Sequence, residues 1–154
     1  MHVRLNQAGA MLLCAALVAL VCASAAKAQR KYAHYSKKQV EEIIKLIEDN
    51  TDVFRKEVDR YLDRSRLDGT RTEDRINERV KEFEHATDDL RKDFDRRDSW
   101  WESRDHVRRM LDKARPVADI FRRGRFSPAL EVEWKRLRRN INRLATTDEL
   151  TLVG

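Results

Sequence analysis

The side chains here that could do acid–base, metal or covalent chemistry are few, and their spacing decides what they are for. Beyond the first 28 residues there are three histidines, His34, His85 and His106. Glu82 and His85 have the Glu-x-x-His spacing of dinuclear metal sites in helical bundles, which need two such pairs plus inward glutamates. Phe83 holds the apolar stripe of that helix, which turns Glu82 and His85 outward, and no second Glu-x-x-His occurs. His106 and Met110 stand one turn apart, a spacing that haem or copper could use. Met110 lies on an apolar stripe and is expected as core filler, with His106 flanking it at the surface. Thr51 and Thr87 also fall on inner stripes. Their hydroxyls could hold a small polar ligand, but the simpler expectation is a bond back to the carbonyl four residues earlier. The sequence has no nucleophile elbow, no glycine-rich phosphate loop and no pair of inward carboxylates. The expectation is a protein without catalytic residues, metal or cofactor, and not an enzyme.

Where the chain works is written in its first 28 residues. Arg4 precedes an uncharged Ala/Leu/Val-rich run, and Ala26-Lys27-Ala28 places small residues where a signal peptidase reads them. Residues 1–28 are therefore expected to be a secretory signal peptide, cut after Ala28, with a periplasmic or secreted product and no membrane span in the mature chain. A lipoprotein anchor on Cys22 is disfavoured by the bulky Val21 before it. Both cysteines, Cys14 and Cys22, lie in this leader, so the mature chain has neither disulfide nor thiolate. It carries 31 basic and 27 acidic residues, a net charge of +4 against +6 for the whole sequence. Dense charge of both signs with so few glycines and prolines points to long solvated helices.

Four segments repeat apolar residues at alternating four- and three-residue steps, the seam of a coiled-coil-like bundle. The first runs Val40, Ile44, Ile47, Thr51, Phe54, Val58, Tyr61, Ser65, and the second Ile76, Val80, Phe83, Thr87, Leu90, Phe94. The third is Trp100, Ser103, Val107, Met110, Ala114, Val117, Phe121, and the fourth Leu130, Trp134, Leu137, Ile141, Leu144. Thr70 with Glu73, and Ser99 with Glu102, read as capping boxes, and Ser127-Pro128 as a cap followed by Pro at the first helical position. Gly69 falls in the first connection, and Gly124 is placed as a helix C-terminal residue. The helices are expected over 36–66, 70–97, 99–123 and 127–145, between tails 29–35 and 146–154. Pro116 falls on the outer face of the third.

Short connections make neighbours antiparallel, which gives an all-α, up-down-up-down four-helix bundle. Reflection at each turn sets Phe54, Phe83, Ala114 and Leu137 on one level and Val58, Val80, Val117 and Trp134 on the next. Large residues thus meet small ones. The segment from Thr51 to Arg60 echoes in Thr87 to Arg96, an echo expected from exposed Asp–Arg and Asp–Lys helix pairs, with duplication of an ancestral helix as the alternative.

The stretches TDVFR, LDRSRLDGTRTEDRIN and FEHATDDLR, in this order, resemble a family of small secreted bacterial helical proteins with no assigned activity. The resemblance is densest over the first two helices. It implies the fold and the envelope address, and it brings no catalytic residues. Family members tend to end in an aromatic tail after Leu-Ala, whereas Leu144-Ala145 here leads into Thr146-Thr147-Asp148-Glu149.

Two surface features remain as candidate sites. Residues 104–143 hold thirteen basic and five acidic residues, a net of +8, while residues 67–98 sum to −3. Arg104, Arg108, Arg109, Arg136, Arg139 and Arg143 would form a basic face, and for an exported chain anionic envelope head groups fit better than nucleic acid. The fourth helix also leaves its seam at Leu144. Val40, Ile44, Phe94, Trp100 and Trp101 would then lack a fourth wall and form an apolar contact groove, unless Leu150, Leu152 and Val153 fold over it. The function expected is a non-enzymatic interaction module of the cell envelope, with an unidentified protein or an anionic envelope component as partner. A periplasmic chaperone-like or stress protein is the alternative.

Overall fold

A computed structural model describes residues 35–147 together with Leu152 and Val153, all within one compact unit, Tyr35–Gly154. The expected signal peptide, residues 1–28, with its expected cleavage site, His34 and tail residues such as Leu150 lie outside the described residues. The architecture is four α-helices with no strand among the described residues: α1 Lys37–Leu62, α2 Arg71–Asp95, α3 Arg104–Arg123 and α4 Pro128–Thr147. A single 3-10 turn, Trp100–Ser103, leads into α3. Helix α1 packs broadly on α4 and on α2, and α2 on α3, while α3 and α4 meet much less closely. The result is a four-helix bundle. None of its helices is long and apolar enough to cross a membrane.

The heptad stripes are the core. Every seam position is buried except Tyr61, Ser65 and Phe121, which are half-buried at the end where the α1–α2 and α3–α4 connections lie. Thr51 and Thr87 are buried and donate to the Ile47 carbonyl at 2.7 Å and the Phe83 carbonyl at 3.1 Å, so their own helices satisfy them.

Local chemistry sets the ends of the helices. Ser36 and Gln39 form a complete capping box on α1. Helix α1 stops at Leu62, short of the expected 66, because the Ser65 hydroxyl donates to the Leu62 carbonyl and accepts from the Leu67 N–H, both at 3.0 Å. Gly69 turns the chain at φ 70°, a conformation that glycine adopts without steric cost. Thr70 caps the Glu73 N–H at 3.3 Å, and the Glu73 carboxylate reaches back one residue further than a capping box requires, to the Gly69 N–H at 2.6 Å. The Ser99–Glu102 box does not form. Ser99 makes no side-chain cap, and the Glu102 N–H instead bonds the Ser99 carbonyl at 3.1 Å, in a tight turn that carries Trp100 inward. Ser127 caps α4 through the Leu130 N–H at 3.3 Å, with Pro128 as its first residue.

Two further rings reach the level expected for Phe54. Phe54, expected among Phe83, Ala114 and Leu137, has the Phe121 and Trp134 rings at 5.3 and 5.5 Å. Gly124 is extended rather than part of a tight reversal, so the connection 124–127 offsets α4 from a reflection about a single residue. Phe126 uses that length to fold inward, stacking on Phe121 at 4.2 Å and 18°.

Candidate functional site

The apolar groove expected at the Trp100 end is closed. Val40, Ile44, Phe94 and Trp100 are at most 4% exposed, and only Trp101 is half-buried. Helix α4 continues to Thr147 and adds buried Ala145 and Thr147 at this end. The Trp100 indole donates to the Tyr35 carbonyl at 3.1 Å, and Lys37 lies over the Phe94 ring at 5.6 Å and donates to the Arg97 carbonyl. The described tail residues, Leu152 and Val153, take other positions. Val153 is buried against α4, where Asn142 bonds both its N–H (2.8 Å) and its carbonyl (3.1 Å). Leu152 is half exposed and lines a small hollow with Arg115, Ala118, Asp119 and Arg122 of α3, which places Leu152 and Val153 along the loose α3–α4 seam.

Below the Trp100 end sits the most buried carboxylate of the described residues. Asp93 is 3% exposed. Arg97 grips it through Nη2 at 3.1 Å and Nε at 3.2 Å, and His106 Nδ1 stands 3.1 Å from its other oxygen. Burial alone would raise this carboxyl, but the Arg97 hydrogen bonds, Ser103 and the His106 charge outweigh burial and hold it below the ordinary Asp range. The Ser103 hydroxyl contributes from a fully buried position without a hydrogen bond of ordinary geometry. Helix periodicity places position 93 beside the seam rather than on it, and gave no sign that a charge would be buried there.

Between α2 and α3 a shallow groove gathers His85, His106, Glu82, Asp89 and Asp112, so the two sequence-flagged histidines do come together. Glu82, Asp112 and His106 of this groove are engaged in ion pairs. Glu82 takes Arg79 at 2.9 Å and Lys113 at 3.4 Å, the Arg79 hydrogen bond chiefly lowering its pKa. His106 is held by Asp93 on one nitrogen and meets Arg109 at 3.1 Å on the other. Among the described residues no group of His, Cys, Asp and Glu is arranged to hold a metal ion.

The expected basic face splits in two. Arg108 pairs with Asp105 and Arg136 with Glu133, each at 3.1 Å, Arg109 bonds the Asp105 carbonyl at 3.4 Å, and Arg104 is half-buried. Arg139 and Arg143 are exposed and form no ion pair with the described residues.

A recess of about 560 Å³ lies at the opposite end, between the α1–α2 and α3–α4 connections. Ile76, Ile120 and Phe126 give it an apolar floor, and Arg66, Arg75, Arg123 and Arg125 form its rim. The Tyr61 hydroxyl fixes one wall by donating to the Arg125 carbonyl at 3.0 Å. Gly124 makes room for this ring, because a Cβ would lie 2.5 Å from the Phe126 side chain and would force it to shift. The sequence has an aromatic two residues after Gly124, between two helices, but nothing local said that the ring turns in. Comparison with known protein families, with characterised proteins and with solved structures finds no match to this chain. What the geometry defines is an all-α four-helix bundle in which four arginines without an ion pair among the described residues surround one recess, and Arg139 and Arg143 stand exposed on α4.

Proposed function

We propose that this chain is an exported, non-enzymatic bundle protein of the cell envelope that engages anionic envelope components through basic side chains of α3 and α4. The observation that carries the proposal is on α4, where Arg139 and Arg143 project into solvent without a carboxylate partner among the described residues. Elsewhere on the bundle, arginines such as Arg55, Arg91 and Arg97 are answered by acids. Exposed, unanswered cations raise the local concentration of anions and steer them to the surface. Export is supported by the leader composition and by the resemblance to secreted helical proteins, and an envelope address favours lipid or lipopolysaccharide head groups over nucleic acid.

Vesicle co-sedimentation tests the proposal. The chain lacking residues 1–28 should pellet with anionic vesicles, stay in solution with zwitterionic ones, and be released as salt passes physiological strength. Charge reversal at Arg108, Arg136, Arg139 and Arg143 should abolish pelleting while the helical circular dichroism stays unchanged. Equal pelleting with neutral vesicles would refute it.

A further inference from the structure

We infer that the arginine-rimmed recess is a binding site for a single anionic amphiphile, a phosphate or carboxylate head joined to an apolar chain. The inference deepens the anionic-surface proposal and rests on it for the source of the ligand, but it uses a different set of side chains. Three observations converge. The recess has the volume of small-molecule sites, and its floor of Ile76, Ile120 and Phe126 offers an apolar chain a place out of water. Its wall includes four arginines and no acidic residue, and none of the four is ion-paired among the described residues. Four like charges around an apolar bowl repel one another, and an anion placed between them relieves that repulsion. Guanidinium groups also match the planar, multi-oxygen head of a phosphate or carboxylate.

The chemistry is specific in both halves. A free inorganic anion would meet the rim but leave the apolar floor wet, and a neutral detergent would cover the floor but leave the rim unanswered. The wall is also built rather than incidental. Phe126 is stacked on Phe121 and lies 5.4 Å from the Tyr61 ring, and Gly124 leaves the space its ring needs.

The test is titration calorimetry on the chain lacking its leader, with dodecyl phosphate and dodecanoate below their micelle concentrations. Dodecyl maltoside and inorganic phosphate serve as comparators. One saturable site is expected for at least one of the two anionic amphiphiles. Its affinity should exceed that for either comparator and fall about tenfold or more in Arg75→Gln/Arg125→Gln, from lost charge-assisted hydrogen bonds. Arg139→Gln/Arg143→Gln should leave it unchanged, and vesicle binding by that second variant should be the property that drops. Equal affinity for dodecyl maltoside or inorganic phosphate, or an unaltered affinity in Arg75→Gln/Arg125→Gln, would overturn the assignment. If that variant does not fold, amide shifts of the unmutated chain decide. Perturbation by dodecyl phosphate centred on residues 66–76 and 120–126 supports the site, and perturbation elsewhere overturns it.

Discussion

Arg91 and Arg75 belong to the same helix and meet opposite surroundings. Arg91 lies on the flank shared with α1, with Asp95 at 3.2 Å, Glu41 at 3.6 Å and Glu48 at 3.9 Å. Acids even outnumber it there. Burial raises the Glu48 pKa despite Arg91, and the charges of Asp88, Asp49 and Asp52 push the same way. Arg75 faces a recess rimmed by Arg66, Arg123 and Arg125, with no acid in its wall. The two regions share one fold and one arginine-rich vocabulary. What separates them is whether the partner charge was supplied by the chain: where it was, the charges cross-link helices, and where it was not, the site is left for a ligand.

Substitutions should break or sharpen that contrast in a definite order. The largest effect should come from the shared core. Phe83→Ala empties a fully buried position and should cost about 3–5 kcal/mol in denaturant melts. Because both regions hang on the same helices, flank and recess should be lost together.

Gly124→Ala acts at the recess end alone. The added methyl must displace the Phe126 ring, and overpacking of this kind costs about 1–3 kcal/mol. Amphiphile affinity should fall with it, while the surroundings of Arg91, followed by its side-chain resonances, should not change.

Asp93 tests the paired kind of charge under acid. A carboxyl lowered in the folded state contributes stability that is complete above the ordinary carboxylate value. That contribution is lost as pH falls through the lower, folded value. Unfolding free energy measured from neutral pH downward should therefore decline below about pH 4, the ordinary Asp range. Asp93→Asn should cost about 1–3 kcal/mol at neutral pH by leaving Arg97 without its charged acceptor, and should flatten part of that decline.

The smallest change is expected at Arg91→Gln. Its ion pairs are partly exposed, and such pairs contribute at most about 1 kcal/mol. A shift of that size in thermal melts, with amphiphile affinity unaltered, would keep flank and recess apart. Loss of amphiphile binding would join them.

The sequence announces the bundle clearly because heptad spacing depends on local periodicity, and burial follows it nearly residue by residue. It announces the ends of the helices less well. The Ser65 hydroxyl bonds the backbone of its own turn, and Ser99 offers its carbonyl rather than its hydroxyl to the Glu102 N–H. The closed Trp100 end also went unread. A seam that breaks at Leu144 suggests a short helix, yet α4 runs on to Thr147 with Ala145 and Thr147 buried off the strict heptad. The arginine recess was invisible because its residues come from three separate stretches, and only folding sets Arg66 and Arg75 beside Arg123 and Arg125. The buried Asp93 was hidden for the same reason: its partner His106 comes from another helix.

The clasp between Asn142 and Val153 has a consequence in chemical ageing. A carboxamide carries its donor and its acceptor on separate atoms of one planar group, and Asn142 uses both on the same residue, donating to the Val153 carbonyl and accepting from the Val153 N–H. Hydrolysis of that amide leaves a carboxylate, which still accepts from the Val153 N–H but has no proton for the Val153 carbonyl. Two oxygens would then face each other where a hydrogen bond had been, on the seam where α3 and α4 hold each other least. A single deamidation, a mass change of about one dalton, would thus set the end of the chain free while leaving all four helices in place.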